Sequence, residues 1–305
     1  MRKTASTYSS DEDLYMKKIV ILGCENSHAD KFLNLIKTNP DFAELDVIGV
    51  YSEEIEEAEK LHGKYGVELL PSYDAAVGQV DGVIITARHG ANHYKYAKPY
   101  IASGVPMFID KPITADPDEA VQFMRELREA GVRVTGGSSL HSSPEVLAIA
   151  EAHKSNKNGK TVGAAFRAPM DPDPAYGGFW FYSQHLVEMI GVCFGHYPRS
   201  VQAFTVGIQT TVIFRYADFD AVGLFSQKSW QYYVSRFAET GSEGINVTTR
   251  GETWFPLELS AFCDLLNGKP MPMTYDDFIA PVFVIDAIIR SMESGAEELV
   301  RAFTV

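Results

Sequence analysis

From Lys17 onward, apolar and polar positions alternate on two different scales. Short runs rich in β-branched residues, KKIVILG, LDVIGVY, VELL, DGVIITA, VPMFID and VRVTGG, punctuate the first half of the chain. Between them lie longer stretches with helical spacing of apolar positions: one through Phe32 and Leu35, then EEIEEAEKLHGKYG, YDAAVG, NHYKYAKPYIASG and DPDEAVQFMRELREAG. This rhythm predicts βαβ units built around a buried parallel sheet. Gly104 and Gly131 stand where helices should stop, and Pro112 follows a strand.

Near residue 155 the rhythm changes. After the polar segment HKSNKNGK, residues 200–250 carry strand-like runs in immediate succession (VQAFTVGIQ, TVIFRYA, DAVGLFS, WQYYVSRFAE, EGINVTT), which predicts an antiparallel sheet. Two helical patterns, about 256–267 and 275–293, should pack on that sheet or on the first domain. The expected organisation is a flexible tail over 1–15, a doubly wound α/β (Rossmann) domain over 16–137, and an α+β domain with an open, mainly antiparallel sheet over 138–305.

A chain of 305 residues, 46% hydrophobic and 22% charged, is long enough for two such domains. A formal charge of −13 argues against nucleic acid and anionic membrane surfaces, which require basic faces, and leaves small molecules as the expected partners. No apolar run reaches the roughly 20 residues that span a bilayer, and the polar start MRKTASTYSSDEDLY suggests a cytoplasmic protein. The three dispersed cysteines, Cys24, Cys193 and Cys263, give neither a disulfide framework nor a zinc pair. Cys24 is expected to be a small buried residue. His89, His93, His141, His185 and His196 form no metal-ligand spacing with an acid, so no metal is expected.

The first candidate site is ILGCENSHAD, residues 21–30, between the first strand and the first helix. In a dinucleotide-binding turn three glycines allow the tight exit, the approach to the pyrophosphate and the packing of helix on strand. Here Gly23 keeps the first position, while Glu25 and His28 hold the second and third. Asn26, Ser27 and His28 still open a helix whose N–H groups favour an anion. A carboxylate about 4 Å from a phosphate repels it by roughly 1 kcal/mol in water, so Glu25 must turn aside or the phosphate must sit elsewhere. At the end of the second strand Ser52 is the candidate ribose contact. Glu53 and Glu54 either join it or serve as first-turn acids of a helix. Thr86, at the end of the DGVIITA strand, and Arg88 and His93 beyond it complete the expected cofactor contacts. Arg88 and His89 either supply side-chain donors to a diphosphate or lie in an ordinary loop.

The segment DGVIITARHGANHYKYAKPYIASGVPMFIDKPITADPDEA, residues 81–120, resembles the glucose-fructose oxidoreductase/inositol dehydrogenase (Gfo/Idh/MocA) family, which carries Glu-Lys-Pro where this chain has Asp110, Lys111 and Pro112. The order of Rossmann half, linker and open sheet is also similar to that family. The resemblance implies an NAD-dependent oxidoreductase, with NADP as the second option, acting on a sugar, cyclitol or related polyol. Lys111 would hold the substrate oxygen, and Asp110 would place Lys111 or the nicotinamide ribose. The Lys-Pro bond is often cis in the family. A second stretch, GGFWFYSQHLVEMIGVCFG, residues 177–195, resembles the family's Asp-x-x-x-His helix, and His185 matches the proton-transferring histidine. Phe181 replaces the acid one turn earlier. Glu188, one turn later, or the phenol of Tyr182 is the candidate substitute. His141, in SSLHSSPE, stands where many members have an arginine three residues before a proline, and joins Lys111, Tyr182 and His185 as a candidate substrate contact.

The aromatic runs YGGFWFY and WQYYVSRF are read as sheet core and subunit interface. In the family the open sheet face is covered by another subunit, which implies a homodimer or homotetramer. Two alternatives stay open: a non-catalytic sugar- or metabolite-binding regulatory protein on the same scaffold, and redox-neutral chemistry with NAD held throughout.

Overall fold

The computed structural model describes residues 16–173, 175, 177–248 and 254–305. The expected flexible tail, Tyr176 of the aromatic run and the last threonine of EGINVTT lie outside the described residues.

Strands β1 (Lys17–Leu22), β2 (Leu45–Tyr51), β3 (Gly82–Ile85), β4 (Met107–Asp110) and β5 (Val134–Gly137) form a parallel sheet in the order β2-β1-β3-β4-β5. Ile19, Val20, Ile21 and Leu22 are wholly buried, as are Val83, Ile84 and Ile85, because helices cover both faces and leave no polar side to the strands. The helices are α1 (Ser27–Thr38), α2 (Ile55–Tyr65), α3 (Ala91–Ala97), continued as a 3-10 turn to Ser103, and α4 (Pro117–Glu129). The chain passes from β1 to β2 on one side and returns to β3 on the other. The carboxyl ends of β1 and β3 therefore flank the crevice where such sheets hold ligands.

After α5 (Pro144–Lys154) come β6 (Thr161–Pro169), α6 (Trp180–Phe194), β7 (Ser200–Val206), β8 (Gln209–Arg215), β9 (Asp220–Ser226), β10 (Tyr232–Ala238) and β11 (Gly241–Val247). With β12 (Glu298–Leu299) they form a sheet in the order β11-β10-β6-β9-β8-β7-β12, antiparallel except where β6 meets β9. Helix α6 and α8 (Tyr275–Ser294) cover its inner face.

The two late helices tie the halves together. In α8, Phe278, Ile279, Val282 and Phe283 join the core of the parallel sheet, while Val284, Ile285, Ala287 and Ile288 join that of the second sheet. In α7 (Phe255–Leu266), Phe255, Leu259 and Phe262 pack with Phe32, Ile84 and Phe108 on the first domain.

Three local readings need correction. VELL makes only an isolated bridge, Val50 to Leu69, and the YDAAVG segment folds as turns rather than a helix. Strand β6 escaped notice because its alternation is carried largely by alanine and glycine, too weak in hydrophobic contrast to announce a strand.

Candidate active site

The turn after β1 is built by close contact. Gly23 sits at φ +86°, and a Cβ there would lie 2.4 Å from the backbone of Ala87, so this position requires glycine. Its N–H donates to Tyr51 O at 2.7 Å and its carbonyl accepts from Thr86 Oγ1 at 2.5 Å. Asn26 caps α1: its Oδ1 accepts from the His28 N–H at 2.7 Å, and its Nδ2 donates to Thr86 O at 2.7 Å and to Asp110 Oδ2 at 3.2 Å. Glu25 has turned sideways. Its carboxylate accepts from Ser52 Oγ at 2.8 Å and from the Arg88 N–H at 3.0 Å, spanning the ends of β2 and β3. One groove, of about 330 Å³, is lined by Tyr51, Ser52, Glu53, Leu70 and Pro71. A second, of about 290 Å³, is lined by Cys24, Glu25, Asn26, Ser27, Lys60 and Arg88.

Beyond the turn lies a buried ionic cluster. Asp110, with no exposed surface, accepts from the Lys111 N–H at 2.7 Å and faces His28 Nδ1 at 2.7 Å without the angle of a hydrogen bond. Burial alone would raise its pKa, but His28 and Lys111 hold it down to about 2. The Lys111–Pro112 bond is cis. Lys111 reaches away from this carboxylate: its Nζ donates to the Phe181 carbonyl at 3.2 Å and stands 3.7 Å from the centroid of the Phe181 ring. Burial lowers the Lys111 pKa to about 8, against the opposing pull of Asp110.

The first turns of α6 supply the facing wall. His185 Nδ1 lies 2.6 Å from Ser138 Oγ, and burial together with the neighbouring charge of Lys111 keeps the imidazole well below its usual pKa, hence neutral. Glu188 does not bond His185. Its two oxygens each accept from the Ser138 N–H at 3.0 Å; Oε1 also accepts from Gln184 Nε2, and Oε2 lies 3.3 Å from His141 Nδ1. The carboxylate lies against Gly137, where a Cβ would come within 2.9 Å of its oxygens. Gln184 in turn accepts from the Ile113 N–H at 3.2 Å, linking α6 to the loop that carries Lys111. The Tyr182 ring sits 6.0 Å from that of His185, centroid to centroid, and 5.3 Å from that of Trp230.

Several expected contacts fall elsewhere. His93 is wholly buried, its ring nitrogens 2.8 and 3.3 Å from the carbonyls of Ala87 and Ile113, so it braces the loop from behind instead of facing the groove. Thr86 is likewise buried and holds the turn through Gly23 and Asn26. His141 is engaged with Glu188. His28 faces Asp110 and packs edge-on against Phe255, 5.0 Å between ring centroids. Cys24 is buried, and burial pushes its thiol up.

Sequence reasoning missed Ser138, Gln184 and Glu258. Glu258 is 4% exposed and neither oxygen has a hydrogen-bond partner; burial, with Asp110 and Glu188 nearby, raises its pKa well above the usual range, so it is a neutral acid. The signal was there: Glu258 interrupts the apolar stripe Phe255, Leu259, Phe262 on α7. Among the described residues no group of His, Cys, Asp or Glu could hold a metal ion.

Residues 17–138 match the Gfo/Idh/MocA family, an oxidoreductase family with an NAD-binding Rossmann fold. The match lies within the domain of the parallel sheet. No curated protein matches the chain in sequence. Among solved structures, the chain is similar to scyllo-inositol dehydrogenase from Lactobacillus casei with bound NAD(H) and scyllo-inositol, with a TM-score of 0.82 and 15% identity over 94% of this chain and 100% of that one. It is similar to GenD2 of gentamicin A biosynthesis in complex with NAD (0.80, 18%, 99% and 100%) and to myo-inositol dehydrogenase from Corynebacterium glutamicum (0.79, 16%, 94% and 100%). At these identities the likeness is one of fold.

The residues present fit the family's dinucleotide, with one side chain in its path. The Gly23 turn leaves no room for a Cβ, the Tyr51–Pro71 groove is a slot beside Ser52, and the residues that open α1, Asn26 and Ser27, line the second groove. The exception is Glu25, whose carboxylate already holds the Ser52 and Arg88 donors. Among the described residues no helix is long and apolar enough to cross a membrane.

Proposed function

We propose that this protein is an NAD-dependent oxidoreductase that exchanges hydride with a CH–OH group of a sugar, cyclitol or related polyol. The observation that carries this reading is the reach of Lys111 Nζ to Phe181 O, which sets a buried ammonium one helical turn before His185 on α6. When bound, the cofactor supplies the hydride acceptor or donor. Tyr51, Ser52 and Pro71 would hold the adenosine end, and Arg88, Asn26 and Ser27 would hold the diphosphate. The turn after β2 offers Ser52, Glu53 and Glu54 and no basic residue, which supports NAD over NADP.

Lys111 and His185 divide the proton work. The Lys111 ammonium holds the substrate oxygen and stabilises negative charge developing on it. In the tautomer that donates Nδ1–H to Ser138 Oγ, neutral His185 presents Nε2 to accept the hydroxyl proton, and returns it in the reverse direction. Glu188 acts through Ser138, whose N–H it fixes. Tyr182 and Trp230 form an aromatic edge beside this pair on which a sugar ring can lie. His141, tied to Glu188, tunes that carboxylate and lies at the margin of the substrate space.

Assembly as a homodimer or homotetramer through the open face of the second sheet accords with the exposure of Phe204, Leu224 and Phe237 there. A second reading, a metabolite-binding protein without turnover, is favoured by one observation, the Glu25 carboxylate lying across the cofactor groove. The test between them is NADH formation from a panel of cyclitols and sugars with NAD, with Lys111→Ala and His185→Ala as controls. Turnover lost in both variants supports the enzyme. Polyol binding with no turnover and no nucleotide affinity supports the second reading.

A further inference from the structure

We propose that the Glu25 carboxylate is a built-in occupant of the diphosphate site, and that a dinucleotide binds by displacing it from Ser52 and Arg88. This inference rests on the cofactor reading above. Glu25 stands at the position of the turn where the backbone should come closest to the pyrophosphate. Its two oxygens take one donor from each side of β1, Ser52 Oγ at 2.8 Å after β2 and the Arg88 N–H at 3.0 Å after β3. These are donors that a diphosphate crossing from the base slot toward Lys111 would use. Asn26 closes the same end of α1 by accepting from the His28 N–H at 2.7 Å.

The placement answers an electrostatic need. The N-terminus of a 12-residue helix and two convergent donors favour an anion, and half-buried donors left without one are costly. The chain satisfies them with its own carboxylate, so the turn is stable without nucleotide. An incoming diphosphate must then break two hydrogen bonds and tolerate a like charge as Glu25 moves outward into the groove lined by Lys60 and Arg88. A ligand that fills only the base slot meets none of this. The result is a dinucleotide affinity set below what the fold allows, with Glu25 as the residue that sets it.

The test is titration of wild-type protein, Glu25→Gln and Glu25→Ala with NADH and, separately, with adenine, followed by calorimetry. The proposal predicts that NADH binds both variants roughly five- to tenfold tighter than wild type, the effect of removing one charge about 4 Å from a phosphate in a partly wet cleft. Adenine, which carries no ribose to reach Ser52, should bind all three proteins alike, which also reports that the variants are folded. Added salt should narrow the NADH difference. Equal NADH affinity in all three proteins would overturn the role of Glu25 while leaving the cofactor reading intact. Failure of every protein to bind either ligand would overturn the cofactor reading and this inference with it.

Discussion

Lys111 Nζ donates to the carbonyl of Phe181 at 3.2 Å, although the carboxylate of its own neighbour, Asp110, is the stronger charge partner. Asp110 is already engaged by the Lys111 N–H, by Asn26 and by His28, so the ammonium extends across the interface to the helix bearing His185. The Phe181 ring face meets the same cation, with the Lys111 Nζ 3.7 Å from the ring centroid.

The charge state of Lys111 controls activity if it holds the substrate oxygen. With a pKa of about 8 in the folded protein, kcat/KM for polyol turnover should fall as pH rises through that value. Lys111→Arg should move the falling limb to higher pH, and Lys111→Ala should lose about 10²–10³-fold and the limb with it. The stability sign is opposite. The folded pKa lies below the unfolded value of 10.5, so the unfolded chain binds more protons between about pH 8 and 10.5, and stability should rise across that window. Chemical denaturation in buffers spanning the window reads this directly.

Ser138 orients His185, so Ser138→Ala should lower kcat roughly tenfold with little change in KM, whereas His185→Ala should lose about 10²–10⁴-fold. Steady-state kinetics separate the two. An equal rise in KM for both would place Ser138 in substrate binding instead.

Glu258 is buried as a neutral acid, which makes stability pH-dependent in a defined direction. Its folded pKa is raised above the ordinary value of 4.5, so its contribution is present below that pH and lost as pH rises through the folded value. Glu258→Gln should match wild type in melting temperature under acid conditions and exceed it at neutral and alkaline pH.

Gly23→Ala should destabilise the protein by about 2–4 kcal/mol, from a left-handed backbone combined with a Cβ 2.4 Å from the Ala87 backbone. Thermal unfolding measures this without reference to activity.

The parallel sheet was legible because its inner strands β1 and β3 carry apolar runs on both faces, and Gly23, Asp110 and Lys111 stood out because they hold fixed places at strand ends. Other parts were hidden for physical reasons. The weak hydrophobic contrast of β6 concealed a central strand. The pairing of Glu188 with Ser138 depends on the fold bringing β5 against α6, a contact that the helical spacing between His185 and Glu188 cannot reveal. His93 looked like a loop histidine facing the crevice, but its side chain enters the space behind the loop, where two backbone carbonyls need partners. The turn of Glu25 toward Ser52 and Arg88 follows from donors 27 and 63 residues away in sequence.

The most direct test of the central claim is transfer of label from a polyol deuterated at its carbinol carbons to NAD, read by mass spectrometry of nucleotide released from the protein. Quenching during turnover captures the reduced, labelled cofactor before the deuteride is handed back, so hydride transfer is registered even where the full cycle returns the cofactor to NAD. The account predicts deuterium in the nicotinamide ring for at least one cyclitol or sugar, and none with Lys111→Ala or His185→Ala. Nucleotide bound to wild-type protein with no deuterium acquired from any polyol that binds would contradict it.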